Sequence, residues 1–293
     1  MSWVKQSHEI WEQQFDNIEE GIRKHIERVG RVCYKSEDKI TEGSAATFVA
    51  RLMQSQHYAM FEHATVYLTI PCTDWHDYDE FLSTYGRNPY TQYDDSECNW
   101  AGKLGNVYVT TNFRVLVENH WLHDLECATA PTEKHPKRIT VHFTTNRQVS
   151  HELVRHRKMS FAQESTRYCN YTKDKFGHEL TFVMPCWLAE NPNEPKLIED
   201  PQYLDATKLY IDLLDKTEFT YDRLVRNCGW KPQLAASILP NSIKTEIVVT
   251  GFASDWQHLL DLRYKGTTGA PHPQMLELMT PLHEEFVKRY GIA

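Results

Sequence analysis

The residues best suited to chemistry run from 155 to 168: Arg155-His156-Arg157-Lys158-Met159-Ser160-Phe161-Ala162-Gln163-Glu164-Ser165-Thr166-Arg167-Tyr168. An arginine fork matches the oxygens of a phosphate or carboxylate in pairs, and hydroxyls and backbone N–H groups complete such a cradle. Ser165 and Arg167, two residues apart, can therefore grip one phosphate. Between residues 155 and 175 six Lys and Arg stand against two acidic residues, in a chain of 293 residues with a formal net charge of −8. A basic island in an acidic protein points to a small anion held at one place. The overall sign argues against non-specific binding of nucleic acid or anionic membrane.

The spacing predicts a helix over about residues 146 to 157, with Val149 and Leu153 as its apolar stripe. His156 and Arg157 continue that stripe by steps of three and four, so at least one basic group is expected to face inward, where it needs an anion or a strong dipole. A solvated basic helix end, favoured by the helix dipole, accounts for the same pattern. From charge alone both readings stand.

Around this segment the chain alternates irregularly between helix and strand signals. Residues 7 to 29 read as an amphipathic helix through Ile10, Trp11, Phe15, Ile18, Ile22, Ile26 and Val29, with Gly30 as its stop. A shorter helix is expected from a Ser44 cap through Phe48 and Leu52. Strands are expected at 64–70, 107–117, 139–144, 179–183 and 244–250, and residues 73–104 read as a long excursion. A proline-broken linker covers 189–201, and Asp200-Pro201 opens a long helix ending near Gly229. A helix capped by Ser254 runs to Arg263, and a last one covers about 273–289. This order favours an α+β fold: one domain over 1–293, with a mixed or antiparallel sheet flanked by helices. No glycine-rich dinucleotide or P-loop signature is present.

Hydrophobic residues make up 41% and charged residues 25% of the chain, ordinary for a folded soluble protein. No apolar run approaches the ~18 residues of a membrane span, and the first residues lack the apolar core of a secretory leader. Seven widely spaced cysteines, with no C-x-x-C, suit reduced thiols in the cytoplasm. His57, Glu62 and His63 do not have the spacing of a zinc-binding helix, and no metal is expected. Cys186 after Pro185, and Cys169 beside Tyr168, read as inert thiols in preference to nucleophiles.

Arg-His-Arg, seven residues, then Ser is the signature of the flavin-dependent thymidylate synthases, which this chain resembles in RHR-KMSFAQE-S. The resemblance extends to His57 through Glu62-His63, to Leu239-Pro240 through Glu246, to Trp256 through Arg263 and to residues 271–274. It covers roughly 40–71 and 138–290, leaving about 73–137 as an insertion relative to the smallest members. It implies a homotetramer with active sites shared between subunits, in which NADPH reduces FAD and methylenetetrahydrofolate supplies the carbon that converts dUMP to dTMP. By the same resemblance Arg155, His156 and Arg157 contact flavin and nucleotide, and Ser165 and Arg167 hold the dUMP phosphate. His57 matches a flavin-contacting histidine, His258 falls where an asparagine near the flavin usually sits, and Arg263 matches the arginine that binds and polarises uracil.

The residues themselves agree on Arg263, which extends the Trp256, Leu259, Leu260 stripe by three and four and can stabilise charge developing on a bound ring. An arginine snorkelling to solvent fits that position too. The chain departs from the family pattern in four places, one of them Phe252, which replaces a common asparagine. Gln163, counted with the substrate-binding positions, stands where many members carry glutamate. Ala236 replaces a nucleotide-binding arginine, a loss expected to weaken dUMP binding unless Arg223 or Arg226 substitutes. Ala59 replaces a small hydroxyl residue. These differences motivate a second reading, a flavoenzyme of the same fold acting on another pyrimidine nucleotide. A third is a noncatalytic nucleotide- or RNA-binding protein.

Overall fold

The computed structural model describes residues 1–98, 104–191, 194–197 and 204–293, and it is an α+β fold with antiparallel sheets. Two short strands come first, β1 (Ser2–Val4) and β2 (Ser7–Trp11), the second of them where the spacing predicts the front of a helix. Ile10 and Trp11 keep a helical interval to the residues that follow. Pairing with the sheet overrides it: the Trp11 ring stacks on His142 at 4.7 Å, with the Arg28 guanidinium 3.8 Å above it.

The helix proper, α1 (Ile18–Tyr34), starts where the Asn17 side chain accepts the Glu20 N–H, a cap worth about 1 kcal/mol. It buries Ile22, Ile26 and Val29, each contributing about 1.5–3 kcal/mol. Gly30 does not stop it. A Cβ there would lie 2.7 Å from the Phe48 ring, so the glycine permits close approach of α2 (Ser44–Gln54). Ser44 is the first residue of α2, preceded by Gly43 as the cap, and its hydroxyl donates to Glu27 at 2.7 Å.

A 3₁₀ segment, Tyr58–His63, leads into β3 (Thr65–Pro71). The excursion that follows holds α3 (Trp75–Phe81) and β4 (Gln92–Asp94), and beyond it come β5 (Asn106–Asn112) and α4 (Phe113–Glu118). The strand expected over 107–117 breaks at Asn112, whose side chain caps α4 by accepting the Val115 N–H at 3.1 Å. β3, β5 and β4 form a three-stranded antiparallel sheet with its own apolar core, which α1 and α2 share.

The second half contains β6 (Arg138–Asn146), α5 (Arg147–Leu153), β7 (Ser160–Gln163), β8 (Thr181–Val183), the hairpin β9 (Ala189–Asn191) and β10 (Glu194–Leu197), and α6 (Leu204–Arg226). The helix start expected at Asp200-Pro201 lies outside the described residues. α7 (Pro232–Ala235), β11 (Lys244–Phe252), α8 (Ala253–Arg263) and α9 (Pro273–Tyr290) complete the fold. α8 begins one residue before Ser254, and Asp255 rather than Ser254 satisfies the free N–H at its start, that of Phe252.

The four-stranded sheet runs β2-β6-β11-β7. Alternation along β11 decides its two faces: Ile247 and Val249 join Trp256, Leu259 and Phe286 of α8 and α9, while Val248 joins Val29 and Val32 of α1. β7 lies antiparallel to β11, with Ser160 opposite Thr250 and Gln163 opposite Ile247.

Candidate active site

A cavity of about 700 Å³ opens where the three-stranded sheet meets one end of β11. Arg155, His156 and Arg157 line it, but not as the end of a helix. α5 stops at Leu153, whose carbonyl accepts both the backbone N–H and the Nδ1–H of His156. His156 thereby supplies the inward-facing basic group that the spacing predicts, and Arg155 and Arg157 remain exposed in the turn. Donation from Nδ1 leaves Nε2 as the lone-pair acceptor of a neutral ring. Burial lowers the His156 pKa, and Nε2 is buried with no partner.

Five fixed cations line this cavity, Arg138, Arg155, Arg157, Lys158 and Arg263, with Asp255 as the only carboxylate on it among the described residues. The Arg155, Arg157 and Lys158 side chains have no hydrogen-bond or ion-pair partner among the described residues. Arg263 is held: it pairs with the Glu152 carboxylate at 2.9 Å and donates to the Glu152 carbonyl at 3.2 Å, while its Nε is buried without a partner. It therefore turns toward α5 and the cavity instead of snorkelling away. His258, on the same helix, is exposed on the lining with its ring centre 6.2 Å from that of His156.

Arg138 escaped the sequence reading. It begins β6, donates to the Glu62 carbonyl at 2.6 Å and approaches the Thr65 and Ser160 hydroxyls, but has no carboxylate partner among the described residues. Burial lowers its pKa to about 10, so it is still a cation at neutral pH. The available signal was an arginine at the first position of an otherwise alternating strand. Asn112 and residues 88–92, from the region read as an insertion, also line the cavity.

The other half of the motif lies elsewhere. The Gln163 amide donates to the hydroxyls of Ser150 and Thr245 at 2.9 and 3.1 Å. The Ser165 N–H donates to the Cys33 carbonyl at the end of α1, and the Ser165 hydroxyl accepts the Arg167 N–H. None of these three lines the first cavity. His57 and Tyr168 line a second one, of about 510 Å³, beside α1 and α2.

Near that second cavity several charges are already answered, although Lys39 and Arg51 on its lining have no ion-pair partner among the described residues. Arg31 pairs with Glu27 at 2.6 Å, and Lys35 with Glu246 at 2.6 Å. Lys244 reaches both Glu246 and Glu164, and His142 sits 3.2 Å from Glu246. Burial pushes the Glu246 carboxyl up, but the His142 bond and the Lys244 and Lys35 charges outweigh it and hold the group well below its usual range. Arg223 and Arg226, which could have substituted at Ala236, line neither cavity, and Arg226 pairs with Asp222 at 2.6 Å.

Of the remaining candidates, Glu62 pairs with Arg114 and His63 bonds the Thr250 hydroxyl. Burial raises the Cys186 thiol and pushes Cys169 up to about 12, which suits inert thiols. No helix among the described residues is long and apolar enough to cross a membrane.

The family model described as thymidylate synthase complementing protein matches residues 129–289. A flavin-dependent thymidylate synthase from Corynebacterium diphtheriae is 29% identical over 155 residues, covering 48% of this chain and 54% of that protein. One from Mycobacteroides abscessus is 33% identical over 122 residues, covering 40% and 46%. The chain thus spans about half the length of the curated relatives it matches. Among solved structures, a UMP/dUMP methylase from Streptomyces cacaoi aligns over 98% of this chain and 92% of that one, with a TM-score of 0.46 and 14% identity, values too low to build on.

Proposed function

The chain belongs to the thymidylate synthase complementing protein family, and from that premise we propose that it is a flavin-dependent thymidylate synthase acting on dUMP, with methylenetetrahydrofolate as carbon donor and NADPH as reductant of FAD. One observation carries the reading: five fixed cations against a single carboxylate on the first cavity, three of them without any partner among the described residues. Cations gathered on one cavity with so little counter-charge set up a positive potential that favours an anionic ligand. The orphaned Nε2 of His156 fits a heterocycle that offers an N–H.

In this reading Arg155 and Arg157 hold phosphate oxygens. His156, neutral and fixed in one tautomer, accepts a hydrogen bond from the ligand. Arg263, steadied by Glu152, polarises the pyrimidine and stabilises negative charge on its ring. The flavin, when bound, supplies the hydride that turns the transferred methylene into methyl. His258 flanks the flavin.

Ser165, Arg167 and His57 complete the site from another copy of the chain, because they do not line the first cavity of their own. This favours a homotetramer with shared sites, built from one domain that carries the 73–137 insertion. Purified protein is expected to take up FAD and to form dTMP from dUMP only when methylenetetrahydrofolate and NADPH are both present. Colourless protein with no uptake of added FAD would instead favour a noncatalytic nucleotide-binding role. Ala236 and the engaged amide of Gln163 support a second reading, a preference for another pyrimidine nucleotide; turnover of UMP or dCMP well above that of dUMP would establish it.

A further inference from the structure

The first cavity has a wall that the Arg-His-Arg motif does not supply. Residues 88–92 leave the three-stranded sheet as a tight turn and line the cavity opposite α8. The turn is pinned throughout. The Asn88 N–H donates to the Tyr85 carbonyl at 3.0 Å, the Asn88 side chain accepts the Tyr90 N–H at 2.9 Å, and the Thr91 N–H returns to the Asn88 carbonyl at 3.2 Å. The Thr91 hydroxyl donates to that of Thr111 at 2.9 Å. The Gln92 amide crosses to the Ser254 hydroxyl at 3.0 Å, tying the turn to the start of α8.

At the tip of this rigid turn Tyr90 is 54% exposed while lining the cavity. Among the described residues it has no ring neighbour, in contrast to Tyr93 immediately after the turn, whose ring packs edge-on against Phe81 at 4.9 Å. A large aromatic left open on a preorganised turn gains most from a flat partner. Stacking on such a ring tolerates many heterocycles and loses little entropy, because the side chain has only two torsions.

We propose that the turn at residues 88–92 is a specificity-determining wall of the ligand cavity, with Tyr90 as the platform for a planar heterocycle that carries an anionic tail. The tail meets the cations already on the lining, Arg138 and Arg157 among them. The inference rests on the reading of this cavity as the nucleotide and cofactor site, and it gives the insertion a role in choosing the ligand. Flavin, pyrimidine and pterin share the required chemistry, and the experiment separates them.

Full-length protein, Tyr90→Ala and Tyr90→Phe are titrated with FAD, dUMP and folate, following flavin or folate fluorescence and, for dUMP, the heat of binding. Tyr90→Ala is expected to weaken one of the three by about ten- to a hundredfold, with Tyr90→Phe close to native. The ligand affected is the one that stacks. Melting of the unliganded variants at the native temperature shows that the wall and not the fold has changed. Native protein that binds its ligands, with Tyr90→Ala binding all three equally well, overturns this inference alone. Native protein that binds none of the three overturns the functional reading and this inference together.

Discussion

The two ends of β11 solve the same electrostatic problem in opposite ways. At the Lys244–Glu246 end, Lys35, Lys244, His142, Glu164 and Glu246 form a closed network inside the chain. At the Gly251–Phe252 end, Arg155, Arg157 and Lys158 surround a cavity with no partner among the described residues. Charge satisfied within the fold holds structure together, and charge left unanswered around a cavity waits for a ligand. The difference separates the cavity-lining Arg155–Lys158 stretch from the internal network, and it does not extend to Arg167, which lies off both cavities. It also explains why Arg263, paired but with a bare Nε, belongs to the cavity end.

The largest effect is expected at that cavity end. Arg263→Ala should lower dTMP formation by about two to three orders of magnitude, the loss typical of removing a group that stabilises developing charge, while FAD stays bound. Near-normal turnover would take Arg263 out of the mechanism. Mixing Arg263→Ala with Arg167→Ala subunits sharpens the point: each is inactive alone, and shared sites require part of the activity to return in the mixture.

Acid should act on the buried histidines before it reaches the Glu246 network. Burial holds His25 down at about 3 and lowers His63 as well, so the unfolded chain takes up protons that the folded one refuses. Stability is therefore complete above the unfolded histidine range and falls as pH drops below about 6.5, by about 1.4 kcal/mol per unit for each histidine. Below about 4.5 Glu246 adds to the loss, because its folded carboxyl is depressed and protonating it breaks the network. Urea unfolding at pH 7.5, 6 and 5 measures the slope, and a flat profile would contradict the burial of these histidines.

A direct contrast of the two ends follows. Glu246→Gln leaves Lys35 and Lys244 short of a counter-charge and should cost about 3 kcal/mol of stability. Arg157→Ala should change stability by less than about 0.5 kcal/mol yet weaken nucleotide or flavin binding. Equal stability losses in the two variants would erase the distinction drawn here. The smallest effect is expected at Cys186. Its thiol is raised by burial, so Cys186→Ser should retain turnover, and complete loss would revive a covalent cysteine route.

Much of the fold was legible because its strands are β-branched runs bounded by clear breakers. The stretches 139–144 and 244–250 fall within observed strands, and 64–70 and 179–183 overlap strands that begin at Thr65 and Thr181. The failures have specific causes. Residues 7–11 carry a helical interval, yet they pair with β6 because a sheet edge is available there, which no local pattern records. Residues 113–117 continue an apolar run, but Asn112 caps a helix inside it. The same Thr-Thr-Asn turn recurs at Asn146, whose side chain accepts the Val149 N–H at 2.8 Å, so this break had a readable signal. Gly30 looked like a stop because its partner, the Phe48 ring, is 18 residues away in sequence.

For the site, the sequence by itself determined the chemistry: which side chains are cations, how closely they follow one another, and that one of His156 and Arg157 was a candidate to turn inward. Tertiary structure alone decided how the segment is divided. β7 runs through its middle, paired with β11, and at roughly 3.3 Å per residue it carries Arg155–Lys158 to one end of the sheet and Ser165–Arg167 to the other. Residues adjacent in sequence are separated because a strand is extended. Arg138, Tyr90 and Asn112, distant in sequence, meet around one cavity because the two sheets abut there.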